Sequence, residues 1–358
     1  MFTLSVCMIV RNEEDVLERV LNCAKQFADE IIIVDTGSTD KTVEIAKQFT
    51  NKVYNYQWQN HFAKARNHSF SLATCDYIMW LDADDFITKE NIELINLLKM
   101  QKSNTDVFMC MYSMGFNSNN QPTLCYYRER ILKRSNNYKW QGFIHEAISP
   151  TGKIEYKNIE IQHRKEKVKD AKRNLKLYRN AIKQGYTLTA REVYYYAREL
   201  YYNAYYSSCI KQIKKYLKMQ NLYQPDVRGA YLIMCESYLK LNKPQSALNQ
   251  ILKYIKNNTL TPEICCMIGA IYNALNNYEI SKFWFKSATV CDTAKNGFIQ
   301  PEFKDIIPYL ELTKIHYFLN DIKQSYYYHQ LCVKTQPNNE SVKHNICFFE
   351  KLRSENKI

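Results

Sequence analysis

The sequence predicts two unlike halves: an α/β half with a mainly parallel sheet flanked by helices, then an all-α half of repeated helical hairpins. Three observations lead there. Between residues 3 and 81 short apolar runs alternate with amphipathic stretches. Beyond Arg164 nearly every segment has helical periodicity, and part of it repeats. Glycine is scarce, 8 in 358 residues, where ~7% is usual; a barrel or sandwich full of tight turns would need more.

Thr3 to Val10 reads as a buried strand. Residues 14–27 carry apolar side chains at 16, 17, 20, 21, 24 and 27, the spacing of a helix with one face on a core. Ile31 to Asp35 is a second strand, and residues 39–49 a second helix opened by the cap-forming run Ser38-Thr39-Asp40. Lys52 to Tyr56 suggests a third strand, Phe62 to Ala73 a third helix, Tyr77 to Leu81 a fourth strand and Ile131 to Lys133 a further short one. Strands separated by helices of this length give a parallel sheet covered on both faces.

In the second half Cys235, Tyr238, Ala247 and Ile251 recur 34 positions later as Gly269, Tyr272, Ser281 and Phe285. A small residue, an aromatic three later, a small one nine later and a large apolar one four later is the tetratricopeptide pattern of two helices packed small-into-large. A degenerate earlier copy fits Ala197, Leu200 and Cys209, and a looser later one runs from Tyr317 to Leu331. The expected organisation is an α/β domain over 1–164, a basic linker helix over 165–187 ended near Gly185, and a tetratricopeptide-like helical domain over 188–358.

Composition narrows the function classes. Hydrophobic residues are 46% and charged ones 24%, as in ordinary globular proteins. The longest apolar runs, Ile31 to Val34 and Ile78 to Leu81, are far shorter than the ~20 residues of a membrane helix. Phe2 to Val10 has no basic residue before it and is followed at once by Arg11-Asn12-Glu13-Glu14, which does not fit a signal peptide. Twelve cysteines outside any CxxC pair read as reduced thiols of a cytoplasmic protein, not as a disulfide framework. The net charge is +13, with nine basic and two acidic residues between Arg164 and Lys183. No nucleic-acid-binding module accompanies that charge, so a solvated helix face is the simpler reading, with membrane contact at most peripheral.

Ligands of an open parallel sheet bind beyond the carboxyl ends of its strands. Those ends carry Arg11-Asn12-Glu13, Asp35-Thr36-Gly37-Ser38 and Asp82-Ala83-Asp84-Asp85. Adjacent carboxylates repel unless a cation or donor offsets them. Two Asp two apart on an alternating strand point the same way, which suits a hard divalent cation, Mg²⁺ or Mn²⁺, that accepts diphosphate oxygens. For Asp40, helix capping is the preferred role.

Residues 5–14 (Ser5-Val6-Cys7-Met8-Ile9-Val10-Arg11-Asn12-Glu13-Glu14), Ile32 to Asp40, and Trp80-Leu81-Asp82-Ala83-Asp84-Asp85 together resemble a family 2 glycosyltransferase with the GT-A fold, over roughly residues 1–165. The resemblance implies an inverting enzyme with a nucleotide-sugar donor, most often a UDP-sugar. It implies that Asp35 accepts a hydrogen bond from the base, Asp82 contacts the ribose and Asp84 binds the metal. Arg11 and Glu13 would shape the nucleotide pocket, and Arg66 and Asn67 would line it. Trp140-Gln141-Gly142-Phe143-Ile144-His145-Glu146 resembles a Trp-x-Gly-x-x-His-Glu segment of many bacterial members. It makes Glu146 the candidate base, with Asp85 as rival, and lets His145 complete the metal shell or hold a phosphate. Trp140 would stack on a sugar or pack in the core, and Arg128 and Arg130 would reach the diphosphate or lie on the surface.

A tetratricopeptide-like tail behind such a domain resembles bacterial peptide and protein glycosyltransferases, including the S-glycosyltransferases of glycocins. That implies transfer of a hexose, Glc or GlcNAc type, to a peptide or protein, and a possible homodimer through the helices. A cell-envelope glycan or lipid-linked saccharide is the alternative acceptor. A catalytically inactive helical scaffold is the alternative of another class.

Overall fold

The computed structural model describes residues 1–164, 172–294 and 297–355. It divides into two units, Met1–Gly115 with Cys125–Leu177, and Phe116–Leu124 with Tyr178–Ile358.

In the first unit β1 (Leu4–Val10), α1 (Leu17–Ala24), β2 (Glu30–Asp35), α2 (Thr42–Phe49), β3 (Val53–Asn55), α3 (Phe62–Ser71) and β4 (Tyr77–Trp80) alternate as the sequence predicts. β1 pairs in parallel with β2 and β4, and β2 with β3. The two faces of this sheet read directly from the period of two. Val6, Met8, Ile31 and Ile33 enter one core with Leu17, Val20 and Leu21 of α1. Cys7, Ile32 and Val34 enter the other with Ala63 and Phe70 of α3. A fully buried Ile or Val contributes about 1.5–3 kcal/mol, so a strand apolar on both sides is tied to the centre of the unit. α2 begins three residues later than expected. Asp40 still serves its first turn, accepting from Thr42 N at 3.0 Å.

The unit then continues through β5 (Asp85–Phe86), α4 (Lys89–Met100), β6 (Val107–Phe116), β7 (Pro122–Lys133), β8 (Trp140–Gln141), β9 (Ala147–Ile148) and β10 (Ile154–His163). The eight-stranded sheet has the order β3-β2-β1-β4-β7-β6-β10-β5. β7 joins β4 antiparallel, β10 runs parallel to β6, and β5 closes the edge antiparallel to β10. Ile131 to Lys133 is the end of a strand of 12 residues. Most of its length is only half-buried, so it lacks the apolar run that marks a buried strand.

Residues 165–171 of the expected linker helix lie outside the described residues. α5 (Arg173–Lys183) follows, and the chain turns at Gly185 with φ +84°. The remaining helices are α6 (Ala190–Tyr202), α7 (Tyr206–Tyr216), α8 (Gln224–Lys240), α9 (Pro244–Ile255), α10 (Pro262–Ala274), α11 (Tyr278–Val290), α12 (Ile306–Phe318), α13 (Ile322–Thr335) and α14 (Glu340–Ser354).

The repeat is visible as one recurring hydrogen bond across the helical hairpins. Cys235 Sγ donates to Ala247 O at 3.4 Å, Ser281 Oγ to Gly269 O at 2.8 Å, and Ser325 Oγ to Thr313 O at 2.8 Å. The last pair fixes the register of the later copy at Thr313, His316, Ser325 and His329, starting four residues before Tyr317. Its distance from Gly269 is 44 positions, because the α11–α12 connection is longer than its counterparts. Small-into-large packing is literal at Gly269, where an added Cβ would lie 2.9 Å from the Phe285 ring. Each hairpin also turns on a left-handed residue: Ala204, Asn242, Asn276 and Asn320, at φ 61°, 54°, 58° and 58°. Asn tolerates that conformation, whereas Ala pays about 1–2 kcal/mol.

Two substitutions test this account by urea denaturation. Exposed Ala204→Asn stabilises the protein by about 1 kcal/mol. Gly269→Ala destabilises it, because overpacking of about 1–3 kcal/mol exceeds the ~1 kcal/mol helix-propensity gain; Phe285→Leu added to it recovers part of the loss.

Candidate active site

β1, β2 and β4 end on the same side of the sheet, and their carboxyl ends open on a cavity of about 670 Å³. Arg11, Glu13, Thr36, Asp82 and Asp84 line it from those ends, and Arg66, Arg128, Trp140, His145, Glu146 and His163 line it from other elements. Asp35 does not reach the cavity. Its carboxylate is turned into its own loop, accepting from Gly37 N at 3.1 Å, Ser38 N at 3.1 Å and Ser38 Oγ at 2.5 Å.

β4 stops at Trp80, so Asp82 and Asp84 do not share a direction through strand alternation. They sit in a turn closed by Asp85 N donating to Asp82 O at 3.0 Å. That turn sends Asp82 and Asp84 to the cavity and Asp85 inward. Asp85 is fully buried, paired with the equally buried Arg130 at 3.0 Å, and accepts from Tyr112 Oη at 2.9 Å and Asp82 N at 3.0 Å. Arg130 lies over Trp80 at 3.6 Å and Tyr112 at 4.1 Å. Buried there, Arg130 supports the acidic turn from beneath and does not line the cavity.

The sequence reading missed His163. It ends β10, in register with Asp85 of β5, and its Nδ1 lies 3.2 Å from Asp84 Oδ1, 3.5 Å from Asp85 Oδ1 and 2.9 Å from Tyr112 Oη. Burial opposes its charge, but the carboxylates of Asp85, Asp84 and Asp82 outweigh that and raise its pKa. Among the described residues Asp82, Asp85 and His163 bring ligand-type atoms within 4.8 Å of one another. Pairing of β10 with β6 and with β5, where its partner Asp85 lies 78 positions away, places this imidazole, so no local pattern announces it.

Arg66 is the hub of the opposite side. Its Nη2 donates to Asp82 Oδ1 at 2.7 Å and its Nε to Glu146 Oε1 at 2.6 Å. The guanidinium lies 5.1 Å from the Trp80 ring and 4.8 Å from the Trp140 ring, within cation–π range. Burial works against this cation, yet Asp82 and Glu146 raise its pKa further. Conversely, Arg66 and Arg130 hold Asp82 well below the usual carboxylate range despite its desolvation. Trp140 is enclosed by Trp80, Phe70 and Arg66, which makes it a core residue at the cavity's edge.

Helix α3 fastens the Trp140–Glu146 loop at three places. Phe62 N donates to Phe143 O at 3.0 Å. Asn67 Nδ2 donates to Trp140 O at 3.0 Å and its Oδ1 accepts from Trp140 N at 2.8 Å. Arg66 holds Glu146. His145, at φ 51°, and Glu146 are thereby presented to the cavity that Asp82 and Asp84 enter. Such an arrangement can hold a cation and an anionic ligand on one side and a carboxylate base on the other.

Residues 5–154 match the model of Glycosyl transferase family 2; the first unit has a mainly parallel, GT-A-like sheet with flanking helices, and tetratricopeptide-like helices follow it. A stretch of 90 residues is 42% identical to the TPR repeat-containing protein Synpcc7942_0270 of Synechococcus elongatus, covering 25% of this chain and 22% of that protein. A stretch of 91 residues is 40% identical to the SPbeta prophage-derived glycosyltransferase SunS of Bacillus subtilis, covering 25% and 22%. The matched stretch thus spans about a fifth of the length of these relatives. Among solved structures, glucosyl-3-phosphoglycerate synthase from Mycobacterium tuberculosis, in complex with Mg²⁺ and UDP, is 22% identical over 31% of this chain and 44% of that one, with a TM-score of 0.27.

The bridging role of Arg66 has a stability consequence. Arg66→Met leaves two carboxylates without their shared buried cation and costs about 3 kcal/mol, to be read from urea unfolding monitored by tryptophan fluorescence.

Proposed function

We propose that the protein transfers a hexose from a UDP-sugar, with inversion, to a polypeptide acceptor. The observation that carries this reading is the meeting of Asp82, Asp84 and Glu146 in one cavity, an acidic turn and a separate carboxylate bridged by Arg66. The helical unit supports the polypeptide acceptor, since such repeats offer extended surface for a chain or for a second copy.

The donor's diphosphate lies at the acidic turn, with Asp82 toward the ribose and Arg11 and Glu13 along the nucleotide. The carboxylates of Asp82 and Asp84 with the His163 imidazole suit Mn²⁺ or Mg²⁺. When bound, that cation would neutralise charge on the leaving diphosphate. Glu146 takes the acceptor's proton as the acceptor atom forms its bond to the anomeric carbon. The bond from that carbon to the diphosphate oxygen breaks, and its electron pair leaves with UDP. Arg66 keeps Glu146 aimed into the cavity and offsets its repulsion with Asp82. Asp85, buried and saturated by Arg130, Tyr112 and the backbone, has no path to an acceptor and is not the base in this mechanism.

The decisive experiment is calorimetric binding of UDP with and without Mn²⁺, joined to a transfer assay. Glu146→Gln retains UDP binding and loses about 10²–10⁴-fold in transfer rate. Asp84→Ala loses the Mn²⁺-dependent part of UDP binding while its far-UV spectrum is unchanged. Transfer by Glu146→Gln at the wild-type rate would remove the base assignment.

A further inference from the structure

The cavity has a wall that the donor-side chemistry does not use. Trp58, Asn60 and Phe62 come from the β3–α3 connection, and Arg173, Asn174 and Leu177 from α5. Trp58 meets Phe62 edge-on at 4.8 Å between centroids, and Arg173 lies over the Phe62 ring at 5.4 Å. Trp58, Phe62 and Leu177 are half-buried and Arg173 is exposed. The wall is joined to the loop of the proposed base, through Phe62 N and Phe143 O at 3.0 Å. An acceptor must approach on that side, because the base has to touch it.

The chemistry of the wall distinguishes acceptor classes. The side-chain carbonyl of Asn60 already accepts from Trp58 Nε1 at 3.0 Å, and that of Asn174 accepts from Arg173 at 3.3 Å. These six residues include no carboxylate. A neutral saccharide leaves the positive charge of Arg173 uncompensated. Three apolar side chains beside a guanidinium instead complement an apolar side chain next to an anionic one, and Lys176 lies one turn beyond Arg173 on the exposed side of α5.

We infer that this wall is the acceptor subsite, and that it takes a polypeptide segment in which an aromatic or aliphatic residue and an acidic residue flank the glycosylated position. The inference rests on the glycosyl-transfer reading above and deepens it. Trp58, Phe62 and Leu177 receive the apolar side chain, and Arg173 receives the carboxylate.

The test offers the full-length protein a randomised heptapeptide library with Ser, Thr or Cys at the centre, together with UDP-glucose and UDP-GlcNAc, and sequences the glycosylated pool. The wild-type pool is enriched in Trp, Phe or Leu together with Asp or Glu. Arg173→Glu, a change at an exposed position, replaces the acidic preference by Lys or Arg and leaves UDP affinity unchanged. Trp58→Ala raises KM for an enriched peptide roughly tenfold or more with UDP affinity intact. An unaltered preference in Arg173→Glu overturns the subsite, as does loss of UDP affinity in either variant or label that appears only on added oligosaccharides. Failure of the wild-type protein to bind UDP strikes instead at the donor reading, through a separate readout.

Discussion

One buried guanidinium organises the first unit. Arg66 bonds Asp82 at the end of β4 and Glu146 in the loop after β8, and it does so between two indole rings. Two carboxylates of opposite proposed purpose would otherwise repel across a poorly solvated gap. Desolvating a cation is costly, and here the two anions and two aromatic faces offset that cost together. Removing any one of the two carboxylates or the guanidinium leaves another unsatisfied, so the Asp82 side and the Glu146 side of the cavity are specified jointly.

A second buried ion pair works below the first. Asp85 and Arg130 are wholly inaccessible, and Tyr112 and His163 close round them. Their task is to fix the turn that follows Trp80. The acidic motif therefore contains residues of different kinds: Asp82 and Asp84 face the cavity, and Asp85 holds the turn that aims them.

Much of this was legible in the sequence where it depended on local order. The strand–helix alternation through Trp80, the clusters at the strand ends and the small-large spacing of Gly269 and Phe285 follow from periodicity over a few residues. What escaped depended on pairing across long separations. β7 and β10 lack continuous apolar runs, so the antiparallel insertion of β7 beside β4 and the placement of β10 beyond β6 left no simple pattern, and His163 could be located only after they were known. The inward turn of Asp35 and of Asp85 was hidden for another reason: it is set by hydrogen bonds inside their own loops and by the buried Arg130, which the motifs alone do not show. The later repeat was misplaced by four residues because the longer α11–α12 connection interrupts the period.

The attachment of α3 to the Trp140–Glu146 loop makes those two pieces of chain a single exchangeable cassette. Evolution, or a protein engineer, cannot graft a foreign loop at 140–146 to recruit a new acceptor while keeping the resident helix, since Phe62, Arg66 and Asn67 would lose their counterparts. Diversification of such enzymes is therefore expected to proceed by correlated replacement of both segments, with the central strands inherited unchanged as chassis.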